Sequence, residues 1–228
     1  MKKNVVKETP QFKNPNEFKK DILFWNKKEF EQFINIIKDD IVYKTFFATL
    51  YLTGMRRGEI QALTWSDFNK NELIINKTLT NKIKGVRYTI LPPKTKHSNR
   101  IVKIPNNLIK LLQKLKSYYK DFEGFDNDWF IFGGHTPLSD STIERKKNNY
   151  CKEAKVKTIR IHDFRHSHAS LLVNMQIPIT VISKRLGHTN ISNYTKPIIF
   201  SFSPLRCSLF ERFIIFIFFI FTVFTIRK

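Results

Sequence analysis

The stretch Ile161-His162-Asp163-Phe164-Arg165-His166-Ser167-His168 holds three of the six histidines of this 228-residue chain, with an arginine among them. Two chemistries are open to it. His162 and His166 stand four residues apart, so a helix puts both imidazoles on one face, as zinc-binding helices do. Against that, Asp163 follows His162 where the zinc motif HExxH has glutamate, and Arg165 sets a cation beside any dication. The second chemistry is anion binding. His162 and Arg165 are three residues apart and therefore neighbours on a helix. A helix beginning near His162 also points its free amides the same way. An arginine fork grips two oxygens of a phosphate. Alone, the pattern H-x-x-R is weak, because it recurs by chance on helix surfaces.

Charge favours the anion. Forty Lys and Arg against nineteen Asp and Glu give a net charge of +21 and a pI near 10. From Lys77 to Lys120 there are twelve Lys or Arg and no acidic residue. Such a balance implies a polyanionic partner, nucleic acid before membrane. The bland alternative is a lysine-rich solvated surface from an AT-rich coding sequence. Two cysteines, Cys151 and Cys207, are too few for a disulfide framework and fit a reducing compartment. The amino end, MKKNVVKETPQFKNPNEFKK, lacks the apolar core of a secretory signal, so a cytoplasmic location is expected.

The elements that must position these side chains follow from periodicity. Residues 1–24 read as a linker broken by Pro10 and Pro15. Asn26 and Glu29 form a capping box, with Trp25 and Phe30 spaced as a hydrophobic staple. Phe30, Phe33, Ile34 and Ile37 then give a buried helical face. A second apolar helix runs from about Ile41 to Leu52 and stops at Thr53-Gly54, where glycine suits a left-handed turn. A short helix near 58–63 precedes three β-type runs, 72–76, 86–91 and 100–104. Pro92-Pro93 and the polar KTKHSN suggest that the last two runs form a hairpin. Helices are expected over 106–119, from Ser139 or Asp140 to Ala154, over 162–174 and over 179–186. The fold class is therefore α+β, mainly α-helical, with a small three-stranded antiparallel sheet.

Three further pieces change the odds for the opening stretch. YLTGMRRGEIQALTW sets Arg56 just past a glycine-terminated helix, with Glu59 placed to orient a guanidinium. LPPKTKHSNRIVKIP sets Lys94 at a turn, with Lys96 close enough to compete. ISKRLGHTN sets His188 after a short helix and a glycine. In this order, TGMRRGEI, ALTWSDF, PPKTK with RIVKIP, HDFRHSHAS and LGHTNIS resemble the tyrosine recombinases, the phage integrase family, over roughly residues 22–192. The resemblance implies a catalytic domain over 25–192 that breaks and rejoins duplex DNA through a 3′-phosphotyrosyl link, in site-specific recombination of mobile DNA. Arg56 and Arg165 match the arginines that clamp non-bridging phosphate oxygens, and Lys94 the lysine that protonates the departing 5′-oxygen. His162 matches the histidine of proton transfer and His188 one that hydrogen-bonds the phosphate, with Glu59 in support. His166 and His168 read as packing neighbours. The family also implies tetramers on DNA, without metal or other cofactor: guanidinium groups stabilise the charge, and the tyrosyl ester stores the bond energy.

The attacking tyrosine departs from the pattern. The family carries it about nine to eleven residues after the histidine matched by His188, where this chain has Pro197, Ile198 and Ile199. Tyr194 is six residues on. The shortfall is about one helical turn, roughly 5 Å, whereas attack needs approach to about 3–3.5 Å. From Asn193 the text changes to a Phe/Ile-rich tail, 193–228, as a reading-frame shift would produce. Its longest apolar run, 213–226, is fourteen residues against the roughly 20 of a membrane span. The linker at 1–24 reads as the remnant of a preceding DNA-clamping domain. A DNA-binding remnant without catalysis is thus the competing expectation, and a basic membrane-associated protein a third.

Overall fold

The structure is a computed structural model that describes residues 23–83, 85–93 and 98–187. Lys94, Lys96, His188 and Tyr194 lie outside the described residues, as do nearly all of the expected linker and the whole expected tail.

Helix α1, Lys27–Ile36, begins where its capping chemistry dictates. Asn26 Oδ1 accepts from Glu29 N at 2.9 Å, and Glu29 Oε2 accepts from Asn26 N at 2.8 Å. Two of the four orphan amides of a helix start are satisfied this way, which contributes about 1 kcal/mol. The expected staple is divided between two partners. Trp25 packs on Phe33 and Phe164 with ring centroids 4.6 and 5.0 Å away, while Phe30 stacks on Tyr51 at 3.7 Å. The larger core draws both rings inward from each other.

Helix α2, Ile41–Thr53, is the central strut, with Phe46, Phe47 and Leu50 fully buried. Asp40 caps it, and the same carboxylate accepts from Lys146 Nζ at 2.7 Å and Tyr150 Oη at 3.1 Å on α5, Asp140–Glu153. Helix α4, Asn106–Lys120, buries Leu108, Leu112 and Leu115 against α2. The short α3, Arg57–Ala62, follows α2 directly. Helix α6, Asp163–Asn174, lies on α2 through Phe164, whose ring stacks on Phe47 with centroids 5.7 Å apart. A smaller apolar cluster, Ala169, Leu172, Ile182 and Leu186, fastens α7, Ile179–Leu186, to α6. No described helix is long and apolar enough to cross a membrane.

The strands are β1 (Phe68–Asn69), β2 (Glu72–Ile75), β3 (Thr78–Thr80), β4 (Thr89–Leu91) and β5 (Arg100–Lys103). The three-stranded antiparallel sheet has the order β1-β2-β5, and β3 and β4 form a separate antiparallel pair. The hairpin expected between 86–91 and 100–104 is therefore replaced: β4 folds back on β3, and β5 passes over to β2. Cross-strand burial accounts for the choice. Leu73 faces Val102 directly and both are buried, whereas Ile90 and Leu91 of β4 stay exposed. A buried apolar pair stabilises a ladder more than an exposed one.

Candidate active site

Three helix ends meet where α2, α6 and α7 cross. Gly54 closes α2 at φ +65° and Gly187 closes α7 at φ +69°, both in the left-handed region that glycine enters without a Cβ penalty. Each closure turns the last carbonyls of its helix toward Arg165. The Arg165 guanidinium donates from Nη1 to Gly54 O at 2.8 Å and from Nη2 to Leu186 O at 2.6 Å, and the residue is 1% exposed. Helix C-termini carry partial negative charge, so two of them compensate a buried cation that would otherwise be costly.

Arg56 reaches the same junction from the other side. As N-cap of α3 it sends Nη2 to Gly187 O at 3.4 Å, one peptide unit from the carbonyl that holds Arg165. The side chain is 36% exposed. Arg165 thus forms the floor and Arg56 the surface of one cationic patch.

Glu59 sits at the third position of α3 and is buried. Its carboxylate accepts from Arg56 twice, from the backbone N at 2.9 Å and from Nη1 at 2.8 Å. It also accepts twice from Arg100, Nη1 at 3.0 Å and Nη2 at 2.7 Å. Burial alone would raise its pKa. The Arg100 hydrogen bonds and charge, joined by those of Arg56, override burial and bring it down to about 2. Sequence reasoning paired Glu59 with one guanidinium, and the fold brings it two. Arg100 opens β5 within a quoted motif, but nothing in spacing tells which carboxylate 41 residues away it will meet.

His162 is the N-cap of α6 and exposed, with its ring 5.2 Å from that of His166. Its pKa is lowered, first by desolvation and next by the Arg165 charge, with Arg160 and Arg56 adding to it and Asp163 opposing. That shift favours the uncharged imidazole, which can accept a proton. His166 is pushed down to about 4 by burial and then by the nearby His162. The helix start is not an open anion site. Asp163 occupies its first turn and accepts from Arg160 N, Nε and Nη2 at 2.9, 3.0 and 2.8 Å, so a carboxylate already answers the helix dipole. Among the described residues no three His, Cys, Asp or Glu side chains gather as a metal would require.

A second arginine missed from sequence organises the rear of the patch. Arg185 donates Nε to His168 Nε2 at 3.2 Å, and Nη2 to Lys103 O and Leu52 O at 3.1 and 3.3 Å. His168 Nδ1 lies 2.8 Å from Tyr51 O. A carbonyl can only accept, so Nδ1 carries the proton and Nε2 is the acceptor for Arg185. Burial, and then the Arg185 charge, drive this histidine's pKa well down, which keeps it neutral. His168 is a packed strut between α2, α6 and α7, as its sequence suggests. The signal for Arg185 was faint, a cation in the last turn of a short helix.

The mainly helical frame with its small antiparallel sheet has the fold of solved recombinases. It superimposes on the Tn1549 transposon integrase in complex with transposon right-end DNA with a TM-score of 0.67, at 19% identity, covering 88% of this chain and 66% of that one. It also superimposes on XerA recombinase with a TM-score of 0.64 at 20% identity, covering 88% and 65%. The phage integrase family model matches residues 24–196, and the chain belongs to that family. Among curated proteins it is 36% identical over 182 residues to the ICEBs1 integrase of Bacillus subtilis, covering 76% of this chain and 49% of that protein. It is 29% identical over 215 residues to a XerC-like tyrosine recombinase of Caldanaerobacter subterraneus, covering 84% and 52%. The chain thus spans about half the length of these curated relatives.

Proposed function

We propose that this chain is the strand-cutting part of a cytoplasmic site-specific recombinase that integrates or excises mobile DNA. One observation carries the reading: Arg56 and Arg165, 109 positions apart in sequence, bond successive carbonyls at the end of α7. A DNA phosphate seated there meets Arg56 at the surface and the charge of Arg165 from beneath. At an effective dielectric of about 20, a phosphate charge roughly 5 Å from a guanidinium gains about 3 kcal/mol from each. Both grow in value as attack spreads charge over the equatorial oxygens. In the reaction a tyrosine hydroxyl gives its proton to His162 as its oxygen bonds phosphorus, and the bond from phosphorus to the 5′-oxygen breaks. The departing 5′-oxygen takes a proton from Lys94, and His188 hydrogen-bonds the phosphate. Partners are duplex DNA and further copies assembled on it.

A second reading has its own observation. Tyr194 falls six residues after His188, and Pro197, Ile198 and Ile199 occupy the positions where the family carries its nucleophile. On that reading the chain grips DNA without cutting it.

A nicked duplex carrying the junction that flanks its own gene separates the two. The recombinase yields a denaturant-stable protein–DNA adduct that disappears in Tyr194→Phe and Arg165→Gln. Salt-sensitive binding with no adduct leaves the non-cutting reading. Absence of DNA binding at low salt removes both.

A further inference from the structure

We propose that Arg100 is a positioning residue: it neutralises Glu59 so that Arg56 keeps its positive charge for the phosphate. The inference rests on the phosphate role assigned to Arg56 above. Its own ground is the carboxylate geometry. Glu59 offers two oxygens with about four lone-pair sites. All four are used, two by the Arg100 fork and two by Arg56 through Nη1 and its backbone N.

The three charges are unequally placed. The side chains of Glu59 and Arg100 are 5% and 8% exposed, against 36% for Arg56. Arg100 is also tied down, with Nε on Arg185 O at 3.0 Å and Nη1 on Ser98 O at 3.1 Å. It is therefore a fixed buried counter-charge rather than a phosphate ligand. The bidentate pair it makes with Glu59 is formally neutral, and Arg56 beside it retains its full charge. Without Arg100 the carboxylate stays buried with two empty acceptor sites, and among the described residues Arg56 is the cation still bonded to it. A buried carboxylate left this way draws its remaining partner in. Arg56 then swings onto Glu59 as a fork, leaves the surface, and its charge is cancelled. Arg100 thereby controls a contact that it does not itself make.

The test is equilibrium binding of the full chain to a fluorescent mixed-sequence duplex across a salt series, with circular dichroism to verify folding. Arg56→Gln sets the scale: losing one phosphate contact makes the slope of log K against log salt shallower by about 0.9. Arg100→Gln is expected to match that slope change although the Arg100 side chain is only 8% exposed. Glu59→Gln combined with Arg100→Gln is expected to return the slope to that of the parent, because no carboxylate remains to capture Arg56. Arg100→Lys keeps the charge and is expected to hold the slope near the parent value; if Arg100→Gln does not fold, Arg100→Met, which keeps the apolar stem without the charge, is read in its place and is expected to give the same shallower slope. A parent-like slope in Arg100→Gln, or a folded double variant that fails to recover, overturns the inference and leaves the phosphate role of Arg56 standing. No slope change in Arg56→Gln overturns that role, and the inference with it.

Discussion

Replacing Glu59 by Gln tests the electrostatic frame of the site directly. Gln keeps the size and one acceptor oxygen but removes the charge that holds Arg56 and Arg100 together. The carboxyl pKa falls from 4.5, its ordinary value, to about 2 in the folded protein. At about 1.4 kcal/mol for each tenfold change in proton affinity, the charged form contributes about 3 kcal/mol at neutral pH. The pKa is depressed on folding, so this stability is fully present above about pH 5. It is lost as pH falls from the unfolded value toward the folded one. At about pH 3.5 roughly 2 kcal/mol remains. Urea unfolding of the parent and Glu59→Gln at both pH values is the assay. The difference in stability is expected to be at least about 3 kcal/mol at pH 7 and to shrink by about 1 kcal/mol at the acid point. A difference that stays constant with pH refutes the idea that Glu59 is held ionised by its two arginines.

Gly54→Ala forces an alanine to φ +65°, with its Cβ about 2.6 Å from Leu186 Cδ2 and 2.7 Å from His168 Cδ2. A left-handed penalty of about 1 kcal/mol plus overpacking of about 1–3 kcal/mol predicts a lower urea midpoint and weaker DNA binding, since Gly54 O holds Arg165. Asp40→Ala removes a helix cap worth about 1 kcal/mol, and a half-exposed ion pair with Lys146 worth less. Unfolding at a denaturant midpoint unchanged from the parent contradicts the shared role of Asp40. His162 and His166 both have lowered pKa values, so NMR titration is expected to give midpoints below 6.5, with that of His166 near 4. Protonation then favours the unfolded chain, and stability declines as pH drops below about 6.5. A midpoint above 6.5 for either ring contradicts the desolvation and positive surroundings assigned to it.

Much of the frame was legible because it is local. Asn26 with Glu29, Gly54 after Thr53, Ser139 before α5 and Gly187 after α7 mark helix ends through bonds spanning three or four residues. Such short-range chemistry is written in spacing. The candidate residues Arg56, Glu59, His162 and Arg165 were legible for a different reason, as pieces of motifs that recur in one order. Strand pairing was less legible. The run 86–91 has the residues of a strand, but its partner is chosen by which faces can be buried together, and that is a property of the assembled core.

The sequence by itself determined where helices begin and end, the mainly helical class, the basic character and the side chains available for phosphate chemistry, because each depends on neighbours along the chain. Only the tertiary structure decided that one carboxylate serves two arginines, that Arg165 is a floor and Arg56 a surface, that the Tyr51 carbonyl fixes the proton on His168, and that β5 joins β2. Those are contacts between residues tens of positions apart. Their energies come from burial, from ion pairs such as Arg100 with Glu59 and from guanidinium–carbonyl bonds such as Arg165 with Gly54, and none of these exists until the chain has folded.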